Sequence, residues 1–217
     1  MRVDGRVVRD PEFPIRGSER IELDGGDAQA AAPVYIVMNK PRGIVVSASD
    51  ERGRDTVYSL LEGAGLPWLG PVGRLDKASE GLLLLSNDTV WAAGITEPAT
   101  HVPKTYHVQV AGRPDEATLT AMIAGVVDDG ETLRAGAASS LRQGERNAWL
   151  EVTLDEGRNR HIRRLLAVLG FDVQRLVRTA IGELALGDLA KGQWRYLESG
   201  EVEGLRRRQV RALQRPG

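Results

Sequence analysis

The sequence predicts an α+β fold with a mixed, mostly antiparallel sheet, and three observations lead to this prediction. Segments with strand character outnumber segments with helical character. The two kinds do not alternate regularly along the chain, as they would in a doubly wound parallel fold. The length of 217 residues suits one domain with a sizeable core plus a small appendage, and no internal repeat is visible.

The first 33 residues are predicted to form a short β-rich appendage and a linker. Residues 2–3, 7–8 and 20–23 have strand character, and Asp4-Gly5 marks a turn. Residues 25–33 are small and polar and end in proline, which is typical of a linker. We therefore divide the chain into an appendage at 1–24, a linker, a main domain at 34–205 and a basic tail at 206–217.

The main domain is predicted to contain eight strands and three short helices. Most strands alternate apolar and polar residues, and 82–85 is an apolar run short enough for a buried strand. The third helix has apolar residues at i, i+3, i+4 and i+7 followed by a glycine, and the second has proline in its first turn. The predicted strands are 34–38, 44–46, 82–85, 104–110, 149–154, 173–177, 183–186 and 194–197, and the predicted helices are 56–61, 114–123 and 159–169.

The formal net charge of −1 conceals a strong asymmetry. Residues 1–157 carry 16 basic and 24 acidic side chains, a balance of −8, whereas residues 158–217 carry 13 and 6, a balance of +7. Six arginines fall between positions 158 and 178. Arginine binds phosphate through a planar fork and stacks on bases, so this cluster suits an RNA ligand, although a solvated helix face explains it about as well.

Several classes of protein are excluded by composition and motif. There is no cysteine, which removes disulfides, thiolate catalysis and cysteine-ligated metals. No segment approaches about 20 apolar residues, so we expect no membrane span. The three histidines share no metal-binding spacing, and the phosphate-loop, dinucleotide and G-x-S-x-G motifs are missing.

One dense segment, residues 70–88, carries the strongest chemical signal. It reads GPVGRLDKASEGLLLLSND and places Arg74 and Asp76 on a loop before a buried strand. A loop carboxylate supported by a rigid strand is well placed to meet a ligand as a nucleophile or a base. The competing interpretation, an aspartate that bonds its own backbone in a turn, is favoured by these residues alone.

The segment resembles the G-R-L-D…S-x-G-L-L signature of RNA pseudouridine synthases. Three further motifs follow the order of that family: NKPRG at 39–43, KTY at 104–106 and LDEGRNRHIRRL at 154–165. Together they cover most of the chain, and the last is similar to the form found in enzymes that modify bacterial ribosomal RNA. Residues 1–24 resemble the last strands of an S4 RNA-binding domain, and we expect a truncated or degenerate remnant of it.

The resemblance implies a role for each matched residue. Asp76 would be the catalytic aspartate, Arg158 the cation that pairs with it, and Tyr106 a catalytic tyrosine against the target base. Leu154 would pack on the flipped base, and Arg74 would enter the space that the base leaves. His161 stands where the family usually has glutamine, so local geometry could differ there. Candidate phosphate contacts are Lys40, Arg42, Arg160, Arg163 and Arg164.

The resemblance also implies the reaction and its setting. The expected activity is isomerisation of a uridine in ribosomal RNA, with the large subunit favoured over a small-subunit or transfer-RNA target, by a cytoplasmic monomer that needs no metal or cofactor. Two alternatives stay open: a non-catalytic RNA-binding or ribosome-assembly factor on the same fold, and an aspartate-dependent hydrolase. The hydrolase is disfavoured because no second motif carboxylate is suited to acid/base pairing.

Overall fold

The chain forms two compact units, Met1–Pro33 and Val34–Gly217. The computed structural model describes residues 1–10, 13, 20–23, 26–27, 31–47 and 55–213. Parts of the predicted appendage and linker, and residues 214–217 of the predicted tail, lie outside these ranges.

The first unit contains a small antiparallel sheet of four strands. The strands lie in the order β2-β1-β3-β4. Asp4 and Gly5 both have positive φ, at 48° and 76°, which is the geometry of a tight two-residue hairpin turn. The fourth strand falls within the segment predicted as linker. The bounds are β1 (Arg2–Val3), β2 (Arg6–Val7), β3 (Ile21–Leu23) and β4 (Gly26–Asp27).

The second unit contains eleven strands and four α-helices among its described residues. The strands are β5 (Tyr35–Lys40), β6 (Gly70–Val72), β7 (Glu80–Ser86), β8 (Lys104–Ala111), β9 (Val126–Asp128), β10 (Glu131–Leu133), β11 (Ala137–Gln143), β12 (Asn147–Leu154), β13 (Val173–Ile181), β14 (Leu184–Ala185) and β15 (Trp194–Tyr196). The helices are α1 (Thr89–Thr96), α2 (Glu116–Ala124), α3 (His161–Val168) and α4 (Ser199–Leu213), with 3₁₀ turns at Val57–Leu61 and Pro98–Thr100.

Nine of these strands form one mixed sheet. The order is β11-β12-β8-β13-β7-β5-β15, with β14 paired to β13 and β6 paired to β7. The pairing of β7 with β13 is parallel, and the other pairings in this sheet are antiparallel. The predicted α+β class with a mostly antiparallel sheet is therefore confirmed.

The core occupies both faces of this sheet. Ile36 and Met38 pack in one cluster and Val37 in another, as expected when successive strand residues point to opposite faces. Helices α1 and α4 contribute Trp91, Val202 and their neighbours to the second cluster. A third cluster packs α2 and α3 against β8 and β12. Tyr106 touches the first and third clusters, so it lies at the boundary between them.

Several elements differ from those predicted. The segment 44–46 makes only an isolated parallel bridge, Val45 to Thr56, because it lies in a loop beside the 3₁₀ turn. Helix α2 starts at Glu116 because the Asp115 side chain accepts a hydrogen bond from the Thr118 amide, which leaves Pro114 outside the helix. Residues 206–213 continue α4 instead of forming a tail, and Arg206 pairs with Glu203 at 3.0 Å.

Candidate active site

The loop between β6 and β7 presents Asp76 to solvent from a fixed base. Asp76 is exposed, whereas Ser79 and Glu80 immediately after it are buried. The Ser79 amide donates to the Asp76 carbonyl at 2.9 Å, which closes a turn. The Gly43 amide donates to the Lys77 carbonyl at 2.8 Å and ties this turn to the 39–43 segment. The two motifs thus meet in space.

Lys40 lies beneath this loop. Its side chain is fully buried, and Nζ donates to the carbonyls of Ser79 at 2.8 Å, Pro41 at 3.1 Å and Asp76 at 3.3 Å. Burial lowers the pKa of Lys40 to about 8, and the charges of Glu80 and Asp76 oppose that shift. The predicted phosphate contact is therefore wrong for Lys40, because a buried ammonium that holds the loop from below cannot reach RNA.

Glu80 anchors the other end of the loop. Its carboxylate is 2% exposed and accepts two hydrogen bonds from Arg175, at 3.0 and 3.1 Å, and one from Lys191 at 2.6 Å. Burial raises the pKa of Glu80, but the hydrogen bonds from the two cations outweigh it and hold the pKa below its ordinary value. The carboxylate stays ionised, and it joins β7 to β13 and to the segment before β15.

A cavity of about 220 Å³ opens beside Asp76. This is many times the space that one ordered water needs, so a small planar ring can enter the cavity. Its walls come from the Asp76 loop, the start of β8, the end of β12 and the segment that enters α3. Among the predicted site residues, those lining it are Arg74, Asp76, Tyr106, Leu154, Arg158 and Arg160.

Sheet register brings the apolar part of this cavity together. Leu154 pairs with Lys104, and Val152 pairs with Tyr106, across β12 and β8. Leu154 is 3% exposed and belongs to the core cluster under α3, yet it also lines the cavity. Both roles considered for Leu154, core packing and contact with a base, are compatible with this position.

Arg158, the cation predicted to pair with Asp76, has other partners in the structure. Arg158 pairs with Glu156 at 3.3 Å and with Glu131 at 3.4 Å, and the described residues form no ion pair between Arg158 and Asp76. Burial lowers the pKa of Arg163, the charge of Arg160 adds to this, and the charge of Asp76 opposes it. The charge of Asp76 therefore acts on Arg163 on α3, five residues after the predicted partner.

The remaining predicted cations divide into two kinds. Arg164 is tied to Asp128 and, at 2.8 Å, to Glu131, so it braces α3 against the β9–β10 hairpin. Arg42 and Arg160 are exposed and make no ion pair with another described residue. Arg160 adopts positive φ at 50° immediately before α3 and lines the cavity. Arg163 donates to the Val173 carbonyl at 3.0 Å.

Two cationic residues that were not predicted as site residues also line the cavity. Burial lowers the pKa of Lys104 to about 8, with a further contribution from the charge of Arg178, while Asp155 opposes the shift. Arg178 is 4% exposed and donates to the Leu82 carbonyl at 2.7 Å. Lys104 opens the KTY motif and Arg178 belongs to the arginine cluster, so both left a signal in the sequence.

His161 lines the cavity as the first residue of α3 and is buried. Burial lowers its pKa, and the charge of Glu156 opposes that shift. The ring is therefore neutral at pH 7 and adds no positive charge to the site.

The described part of the chain contains no group of three or more histidine, aspartate or glutamate side chains arranged to hold a metal ion. None of the helices in it is both long enough and apolar enough to cross a membrane.

Comparison with known proteins matches this site to a family. The family model for RNA pseudouridylate synthase matches residues 34–168, which include the Asp76 loop, β8 and α3. The ribosomal large subunit pseudouridine synthase B of Bacillus subtilis (strain 168) is 34% identical over 209 residues, covering 95% of this chain and 85% of the relative.

A second relative and a solved structure agree with that match. The ribosomal large subunit pseudouridine synthase E of Xanthomonas campestris pv. campestris is 39% identical over 188 residues, covering 80% of this chain and all of the relative. A crystal structure of a pseudouridylate synthase superposes with a TM-score of 0.74 at 30% identity, covering 94% of this chain and 87% of that one. The chain belongs to the RNA pseudouridylate synthase family.

Proposed function

We propose that this protein isomerises a specific uridine of ribosomal RNA, in the large subunit, to pseudouridine. The observation that carries the proposal is the exposed Asp76 carboxylate on an anchored loop, beside a cavity that admits a small planar ring, with Tyr106 and Leu154 in its wall. Two similar proteins are named for large-subunit RNA, which supports that choice of substrate.

The reaction requires a uridine that has left the base stack. Unstacking costs a few kcal/mol, and a side chain that fills the vacated space offsets part of that cost. Arg74 is exposed at the cavity, and its planar guanidinium can stack where the base was. The flipped uracil then packs between Tyr106 and Leu154.

The bond changes balance without any other reagent. The C1′–N1 bond breaks with the help of Asp76, the uracil turns, and the C1′–C5 bond forms. C5 then loses its proton and N1 gains one, so the product is an isomer of the substrate. Asp76 must be ionised to act as nucleophile or base. Tyr106 lies within the same cavity and is proposed to move the C5 proton.

Other residues bind and orient the substrate. Arg163 is proposed to attract the ionised carboxylate of Asp76 from α3, because the charges of the two side chains interact. Arg42 and Arg160 are proposed to contact RNA phosphates, and the exposed charge of Arg74 adds to the attraction of the RNA backbone. Lys40 acts as a positioning residue through the loop backbone.

The setting of the activity belongs to the same proposal. An isomerisation without net redox change or hydrolysis calls for neither metal nor cofactor. We propose a cytoplasmic monomer, with residues 1–24 as the end of an S4-like unit, 25–33 as its linker and 34–205 as the catalytic domain.

The test is to map pseudouridines in ribosomal RNA from a deletion strain and to complement it with the wild type or with Asp76→Asn. We expect one large-subunit pseudouridine to disappear on deletion, to return with the wild type and to stay absent with Asp76→Asn. Asp172→Asn, an exposed aspartate outside the cavity, is the control that should restore it. If deletion removes no pseudouridine, the proposed activity is wrong and the non-catalytic alternative gains support.

A further inference from the structure

A second, larger cavity of about 650 Å³ lies beside the active-site cavity. It lies between the segment before β8, the end of α2 and the start of β11. Asp155 and Glu156 line both cavities, so the two spaces border the same short segment after β12. An RNA strand whose flipped base fills the first cavity therefore has its neighbouring nucleotides close to the second.

Asp155 is the distinctive group at this junction. It is exposed, its charge acts on Lys104, and its carboxylate makes no hydrogen bond or close ion pair with any residue that the structure describes. A Cβ placed on Gly136 would stand 2.8 Å from Asp155 Oδ2, closer than real contacts allow. The absence of a side chain at Gly136 thus makes room for the carboxylate where β11 begins.

The other walls complete a site with mixed chemistry. Arg134 and His101 are exposed on it and can donate hydrogen bonds, and Ile123 offers an apolar surface that is 45% exposed. Glu156 adds little net negative charge, because Arg158 pairs with it at 3.3 Å. The cavity therefore offers the Asp155 carboxylate as an acceptor for a base edge, Arg134 as a cation for a phosphate, and the apolar surface of Ile123 for a base ring.

We propose that this second cavity binds a guanine nucleotide that neighbours the target uridine, with Asp155 as its specificity-determining residue. Guanine presents two adjacent donors, N1–H and N2–H, on its Watson–Crick edge, and an ionised carboxylate accepts both in parallel. Adenine and cytosine present an acceptor beside their amino group, and uracil presents a single donor. The inference rests on the proposed RNA substrate, because it places the guanine in the same strand as the flipped base.

The first test measures the site without catalysis. The full chain is titrated with 5′-GMP, 5′-AMP, 5′-CMP and 5′-UMP, and amide NMR shifts are followed at Gly136 and Asp155. We expect GMP to bind about tenfold more tightly than the others, the discrimination expected of one good bidentate pair. Equal shifts with all four nucleotides, or none with GMP, would overturn the inference.

Two variants separate recognition from charge. Asp155→Asn should lose the guanine preference about tenfold and turn towards adenine, because an amide offers one donor and one acceptor. Gly136→Ala keeps the charge of Asp155 but displaces its carboxylate, and we expect a similar loss. Asp188→Asn, an exposed aspartate that lines neither cavity, is the matched control and should bind GMP like the wild type.

The second test uses ribosomal RNA from the deletion strain. The mapped uridine should have an adjacent guanine, and Asp155→Asn should slow its modification about tenfold. Modification that proceeds at the wild-type rate in Asp155→Asn overturns the inference and leaves the proposed function intact. Selective GMP binding by a protein whose deletion removes no pseudouridine overturns the proposed function and leaves the guanine site intact.

Discussion

Two cations act on Asp76 from different directions, and they do different work. Lys40 reaches the loop from below and bonds its carbonyls, so it fixes where Asp76 stands. Arg163 approaches from α3 and interacts with the charge of Asp76 itself. The hydrogen bonds from Lys40 to the loop and the charge interaction with Arg163 are therefore separate contributions, and each can be tested alone.

The first residue-level prediction compares Arg163→Met with Arg158→Met. Because Arg163 interacts with Asp76 whereas Arg158 pairs with Glu131 and Glu156, the former should lower the rate of pseudouridine formation about 100-fold more. Single-turnover rates at saturating RNA measure this. Equal losses in the two variants, or a larger loss with Arg158→Met, would restore the partner predicted from the sequence.

The second residue-level prediction concerns the pH dependence of activity through Lys40. A lysine with a pKa of about 8 carries its charge below that pH and loses it as the pH rises through it, and the neutral amine has two donors for three carbonyls. We expect the ratio of wild-type to Lys40→Met activity to be largest at pH 7 and to decline towards pH 9.5. Lys77→Met, an exposed lysine on the same loop, should show a ratio near 1 throughout. A ratio for Lys40→Met that is independent of pH would contradict the prediction.

At the scale of elements, the parallel junction of β7 with β13 fixes the catalytic loop. Glu80 and Gly81, which follow Asp76 by four and five positions, pair with Val177 and Arg178. Strand character at 82–85 and 173–177 could be read from apolar patterning. The parallel pairing could not, because it joins segments about a hundred residues apart and depends on a contact that only glycine permits.

The close contact between Gly81 and Arg178 predicts a loss of stability when Gly81 is replaced. Gly81 has a φ of 99°, and a Cβ there would collide with the Arg178 backbone carbonyl. Gly43 has nearly the same φ, 97°, but a Cβ there would meet nothing within 4 Å. Gly81→Ala should therefore destabilise the protein by about 1–3 kcal/mol more than Gly43→Ala. Both substitutions place alanine at an unfavourable φ, but only the new methyl group at position 81 collides with a neighbouring strand. Urea unfolding of both variants measures the difference in the free energy of unfolding. Equal losses of stability would show that β13 can shift to accommodate the methyl group.

The elements that the sequence did not predict share a physical reason. Helix α1 contains glycine and two threonines in eight residues, and its stability comes from the Asp88 cap and from packing of Trp91 and Ile95. Residues 206–213 are polar, but α4 as a whole packs through Val202 and Leu205. In both, tertiary contact decides the structure where local propensity is weak. Motifs predicted the site better, because each motif is local and the fold needed only to bring them together.

At the scale of the whole molecule, ion pairs within the fold neutralise part of the charge asymmetry. Arg164 pairs with Asp128, Arg175 with Glu80 and Arg206 with Asp88, so arginines of the last part neutralise acids of the first. These partners are separated by 36 residues or more in the chain, and charge counting along the sequence cannot identify them. What remains around the active site is a smaller set of exposed arginines, rather than the whole cluster.

This remaining set predicts the salt dependence of RNA binding. Arg42, Arg74 and Arg160 are exposed and form no ion pair with other described residues, and each phosphate contact contributes about −0.7 to −0.9 to the slope of log affinity against log salt. Three contacts give a slope of about −2 to −3. Filter binding of ribosomal RNA at salt concentrations between roughly 50 and 300 mM would measure this slope. The triple alanine variant at these positions should have a slope near zero. Substituting alanine for Arg164, Arg195 and Arg206, whose charges are paired within the fold, should leave the slope unchanged, and a large decrease there would mean that paired arginines also bind the RNA.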